Sequence, residues 1–148
     1  MLSIKLFPAE YGDCIMLSIG KGNQYNILID GGLSKTYQKY IKSEIQHIRE
    51  KRQKIGLLVC THMDNDHICG LIQVLKETNP DFIDNVWYNG FIQIINSRFY
   101  SQKENSFTDR DNKILDEIIS QGVVSDSEQE IGINEGMSLG VLIEESKI

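Results

Sequence analysis

Four side chains that commonly bind metals lie within one short run, T-H-M-D-N-D-H, residues 61–67: His62, Asp64, Asp66 and His67. Nothing else in the chain gathers such groups so densely. In a short loop they can converge on a small volume. Two carboxylates brought together without a counter-charge repel each other, and a divalent cation reverses the sign of that cost. Two imidazoles with two carboxylates suit zinc, with manganese or iron as the harder alternatives. The competing reading is a helix cap. Asp66 is a suitable N-cap residue and His67 would then be an incidental first-turn residue. Capping accounts for one of the four side chains and leaves three unexplained.

The flanks say what positions this run. Ile55–Cys60 (IGLLVC) is short, apolar and free of Pro, as expected of a strand buried on both faces. After it, Ile68, Leu71, Ile72 and Leu75 recur at helical spacing. The polar run therefore joins the carboxyl end of a buried strand to the amino end of a helix, where open α/β folds place their sites. Upstream, Ile27-Leu-Ile-Asp-Gly-Gly32 is an apolar strand that ends in a carboxylate. Asp30 there could accept a hydrogen bond from a loop amide or a ligand imidazole, supporting the site from behind. A plain Asp-Gly turn explains the residues equally well.

These stretches resemble a known family. T-H62-M-D64-N-D66-H67-I-C-G is similar to the His-x-His-x-Asp-His signature of the metallo-β-lactamase fold hydrolases, most of all to the ComEC/Rec2-like branch, which includes the hydrolase domain of a DNA-uptake protein. Tyr11-Gly-Asp-Cys-Ile15 resembles the Gly-Asp start of the second strand, and the Asp30-Gly31-Gly32 run resembles the strand that follows. The resemblance implies an α/β fold, part of an αββα sandwich: a mixed β-sheet with flanking helices. It implies up to two divalent ions, held by His62 and Asp64 and by Asp66 and His67, with Asp30 supporting them. It implies a metal-dependent hydrolase whose activated water, oriented by Asp66, attacks a phosphodiester or related ester. Asp64 departs from the pattern by replacing the usual second His, which makes the site harder and favours manganese or iron somewhat more. The later ligands of the family, a further His, a bridging Asp and a last His, have no counterpart, since the remaining histidine, His47, lies upstream. That gap leaves a second reading, a truncated or non-catalytic domain acting as an interaction or assembly module. Its partner would be another copy or a segment that completes the fold.

Length and composition bound the rest. A chain of 148 residues reads as a single domain, 1–148, and by the resemblance as the amino-terminal part of a longer fold. A net charge of −6 argues against a binding surface dominated by basic charge, although bound metal could still bring in a nucleic acid or another phosphodiester. Cys14, Cys60 and Cys69 offer no disulfide framework, which points to a reducing, cytoplasmic setting. No apolar run approaches membrane length.

Along the chain, Leu2–Phe7 alternates as a half-buried strand, and residues 14–19 and 25–30 flank Gly-Lys-Gly-Asn as a hairpin. Ser34 is placed to cap a helix over residues 35–53 with Tyr37, Ile41, Ile45 and Ile48 inward. Residues 84–88 read as a short strand with Trp87 and Tyr88 available for packing, followed by a turn at Asn89-Gly90. Residues 91–100 fit helix or strand, 101–109 a loop and 109–121 a helix. The tail from Val123 reads as one or two short strands.

Overall fold

A computed structural model describes residues 1–88 and, near the carboxyl end, Leu139, Gly140, Leu142, Ile143 and Glu145. The expected turn at Asn89-Gly90, the segments 91–100, 101–109 and 109–121, and the tail as far as residue 138 lie outside the described residues. The described strands are β1 (Leu2–Leu6), β2 (Ile15–Ile19), β3 (Tyr25–Ile29), β4 (Ile55–Cys60) and β5 (Val86–Tyr88). They form one sheet in sequence order. The β1–β2–β3 meander is antiparallel, and β4 runs parallel to both β3 and β5. Parallel neighbours need crossovers, and helices supply them. Between β3 and β4 lie α1 (Ser34–Thr36), a π turn (Tyr37–Ile41) and α2 (Lys42–Glu50). Between β4 and β5 lie α3 (Asn65–Glu77) and a 3-10 turn (Pro80–Phe82). The result is a mixed sheet with flanking helices, the α/β class read from the sequence.

The sheet is covered on its helical side. Met16, Leu28, Leu58 and Cys60 point into a core closed by Tyr37, Ile41, Ile45 and Ile48 on one helical run and by Ile68, Leu71, Ile72 and Leu75 on the other. Both stripes are those that the apolar periodicity predicts. The other face is set by register. Leu2, Ile4 and Leu6 pair with Ile19, Leu17 and Ile15, which pair in turn with Tyr25, Ile27 and Ile29. A register shift between Asn26 and Ile27 brings Leu57 and Val59 into the same rows, and Trp87 pairs with Val59. Every one of these positions is apolar.

Several expectations are corrected. β1 is an edge strand that turns its apolar side outward: Leu2, Ile4 and Leu6 are exposed, while Lys5 reaches Glu44 of α2 at 2.7 Å. Alternation gave the two faces of the strand but not which one meets the core. Trp87 is likewise exposed, and it is Tyr88 that packs against the core. Ser34 is the first residue of α1 and not its cap; Leu33 takes the cap position, with no side-chain cap bond. The helical run ends at Glu50, ahead of the expected Gln53. The described residues of the tail, Leu139, Gly140, Leu142, Ile143 and Glu145, are helical where strand was expected. Leu139 and Ile143, one helical turn apart, are both buried in the core.

Leu58 is fully buried on β4, between β3 and β5. Leu58→Ala is expected to destabilise the chain by about 2–5 kcal/mol through lost burial and the cavity left behind, read as a shift in the urea midpoint.

Candidate functional site

The loop 61–64 leaves the carboxyl end of β4 and enters α3, held against the turn that follows β3. Two close approaches fix it. Gly31 donates its amide to the His67 carbonyl at 2.8 Å, and Gly70 donates to the Gly32 carbonyl at 2.9 Å. A methyl group on Gly31 would strike the Gly70–Leu71 backbone, and one on Gly70 would strike Gly31. Two backbones meet there because neither residue carries a side chain. On the far side, Gly12 packs equally tightly on the Asp66 backbone. The loop carrying Gly12 is tied down by Gly32, whose amide donates to the Asp13 carbonyl at 3.0 Å, and by an ion pair between Glu10 and Lys35.

Asp30 stands at the centre. It is 1% exposed and adopts φ 52°, a left-handed conformation that Asp tolerates better than most residues. Its Oδ1 accepts the Thr61 amide at 2.8 Å. Its Oδ2 accepts the Thr61 hydroxyl at 2.5 Å and lies 2.9 Å from His67 Nδ1. A carboxylate at Nδ1 fixes the ring and leaves Nε2 for other chemistry. Burial opposes charge on His67, but the hydrogen bond and charge of Asp30, with Asp66 and Asp13 behind them, outweigh it and raise the imidazole above its ordinary value.

The predicted loop residues fall as follows. The His62 and His67 ring centroids are 5.0 Å apart, and His67 Nε2 lies 4.0 Å from an Asp66 carboxylate oxygen. His62 is held from behind by a contact of its Nδ1 with the Thr61 hydroxyl at 3.0 Å. Asp64, not Asp66, occupies the N-cap position of α3, in extended backbone and with no side-chain cap bond. The competing reading of Asp66 as the cap does not hold: Asp66 lies in the first turn. Asp64 is exposed. Two participants carried no assigned role in the sequence, Thr61 and Asp13. Their signal was position alone, one beside His62 and the other in the Gly-Asp pair.

In kind, this donor set fits a divalent cation: an imidazole presenting Nε2 with its other nitrogen on a carboxylate, a second imidazole beside it, and a carboxylate facing it. Such a set would supply part of a coordination shell. Among the described residues no group of three or more His, Cys, Asp or Glu side chains is arranged to hold a metal ion. Beside the loop, a cleft of about 480 Å³ opens between the ends of β4 and β5, lined by Val59, Cys60, Thr61, Val86, Trp87 and Tyr88.

The model of the metallo-β-lactamase superfamily matches residues 8–83, which span β2, β3, β4, α3 and both halves of the loop network around Asp30, and the chain belongs to that superfamily. The superfamily is one of metal-dependent hydrolases that generally bind divalent metals, often zinc. Comparisons with curated proteins and with solved structures give no match.

Asp30→Ala removes the acceptor of three hydrogen bonds and places Ala at positive φ. It is expected to cost about 3 kcal/mol or more, measured by urea denaturation, with loss of the His67 ring's fixed chemical shifts. Burial, and then the charge of Asp30, pushes the Cys14 and Cys60 thiols up to about 12. Both are expected to resist iodoacetamide near pH 8, where an ordinary thiol of pKa about 8.5 reacts. Peptide mapping should find them labelled only after unfolding.

Proposed function

We propose that this chain is a metal-dependent hydrolase domain acting on a phosphodiester or related ester, with His62, Asp64, Asp66 and His67 as the loop's metal ligands. The observation that carries the reading is the 2.9 Å contact between His67 Nδ1 and the buried Asp30 carboxylate. A left-handed backbone and a buried charge are spent on orienting one imidazole that a folded helix turn does not need. When bound, a divalent ion would supply Lewis acidity and lower the pKa of its water. The protein's own part is to hold the His67 Nε2 outward through Asp30, to keep His62 beside it through Thr61, and to place the Asp66 carboxylate where it can orient a nucleophile. The open cleft between β4 and β5 gives an extended substrate room next to the loop. A phosphodiester fits this reading because a cation, and not the acidic chain of net charge −6, would draw the anion in. Nucleic acid is one substrate of that chemistry. The cytoplasm is the compartment suited to cysteines such as Cys14 and Cys60 held as buried thiols; among the described residues no helix is long and apolar enough to cross a membrane.

A second reading is a non-catalytic domain of the same fold that serves as an interaction or assembly module. It is favoured by the absence of a three-donor group among the described residues.

Metal content and turnover separate the two. The purified chain, dialysed against zinc, manganese or iron, is expected to retain metal and to hydrolyse bis(4-nitrophenyl) phosphate. His62→Ala and Asp66→Ala should each lower turnover by about a hundredfold or more with an unchanged circular dichroism spectrum. Turnover that survives in either variant would overturn the assignment, and a chain that binds no metal is the module.

A further inference from the structure

The end of the sheet away from the metal loop carries a cationic cleft that hydrolysis leaves unused. Arg49, Lys51, Arg52 and Lys54 follow closely on one another in a chain whose net charge is −6. Arg49, Arg52 and Lys54 line a cleft of about 440 Å³ together with Phe82 and two acidic residues, Glu77 and Asp81. That volume is within the range of small-ligand pockets. The cleft sits at the amino end of β4 and the metal loop at its carboxyl end, about 17 Å away at 3.3 Å per residue. α2 closes here with the two bonds of a Schellman turn. Gln53 donates its amide to the Ile48 carbonyl at 3.0 Å, and Arg52 donates to the Arg49 carbonyl at 2.8 Å. Arg52, at the left-handed position of that turn, has φ 57°. Glycine is the usual occupant, because a Cβ is strained there. The helix dipole accounts for cations near the last carbonyls, and Arg49 and Lys51 already supply them. It does not account for a long side chain at the one position in the turn that disfavours any. Strain of this kind clusters at ligand clamps.

We propose that this cleft is a binding site for a phosphate group, with Arg52 as its principal cation and Arg49 and Lys54 beside it. The parts are held in place before any ligand arrives. The Arg49 guanidinium stands over the Phe82 ring, 4.8 Å from its centroid, and its Nη2 donates to the Glu77 carbonyl at 3.4 Å. Its other N–H donors remain for a ligand. Gln53, 8% exposed, ties the turn to the β2–β3 hairpin through a 2.6 Å bond from Nε2 to the Gly22 carbonyl. Most acids around the cleft are already engaged. Glu77 pairs with Lys42 at 2.8 Å, and Asp84 with Lys54 at 3.5 Å. Among the described residues neither Lys51 nor Arg52 makes an ion pair. A guanidinium matches phosphate with paired N–H donors, which a lone ammonium does not. Exposed charges more than about 8 Å away are largely screened at physiological salt, so the local cations outweigh the acidic remainder of the chain.

The full chain, freed of metal with EDTA, should bind inorganic phosphate in low-salt buffer, measured by calorimetry. The amide NMR shifts that move should be those of residues 49–54 and 77–82, not those of the loop 61–67. Arg52→Gly separates the ligand from the fold. It should weaken phosphate binding about tenfold through loss of a charge-assisted pair. It should not lower the urea midpoint, because glycine relieves the turn. Arg52→Lys keeps the charge but loses the paired donors; it should weaken binding by a smaller factor and serves if glycine unsettles the turn. A short oligothymidylate distinguishes the source of the phosphate. Tighter binding than inorganic phosphate, lost in the same variants, names a nucleic-acid backbone; equal or weaker binding names a free phosphate or a small phosphorylated ligand. A chain that binds no phosphate at millimolar concentration overturns the proposal. So does binding that both variants leave unchanged, or binding that moves the amides of residues 61–67 instead. All of these readings use metal-free protein, so they stand apart from metal binding and turnover.

Discussion

Everything at the candidate site depends on two backbones being allowed to touch. Gly31 and Gly70 bring the turn after β3 against the first turns of α3, with reciprocal amide-to-carbonyl bonds between 31 and 67 and between 70 and 32. That contact sets where α3 begins, and so where His67 and Asp66 stand relative to β3. A larger residue at either position would push the helix away, and the Asp30 carboxylate would no longer reach the imidazole. The apolar stripe of α3 presses it onto the sheet, but it is the missing side chains that set the depth.

Much of this was legible in the sequence. The uninterrupted Ile55–Cys60 run is the central parallel strand, and the spacing of Ile68, Leu71, Ile72 and Leu75 is the buried face of α3. The Gly-rich connection at residues 20–23 is the hairpin turn, with Gly20 and Gly22 at positive φ. Periodicity carries this information because burial imposes it: a strand covered on both sides must be apolar throughout, and a helix on a sheet must be apolar on one side. The dense polar run was visible for the converse reason, since nothing in a packed core explains it.

What was not legible depended on contacts between distant segments. Alternation in β1 shows two faces but not which one meets helices, and Leu2, Ile4 and Leu6 went outward because only one side of the sheet has helices among the described residues. Trp87 followed the same row. The roles of Thr61 and Asp13 come from neighbours far away in sequence, Asp30 for one and His67 for the other. Nor could local rules tell whether Asp64 or Asp66 would begin α3, because both are good caps.

The backbone angle of Asp30 narrows what can stand at that position. A left-handed φ favours glycine, asparagine and aspartate over other residues. Glycine has no acceptor to offer. An asparagine can offer only one oxygen and puts an NH2 where either Thr61 or His67 would meet a donor. A glutamate has the right chemistry but the wrong reach and a poorer fit to the turn. Geometry and chemistry are separate filters, and they overlap on a single amino acid, so drift at this codon has almost nowhere to go.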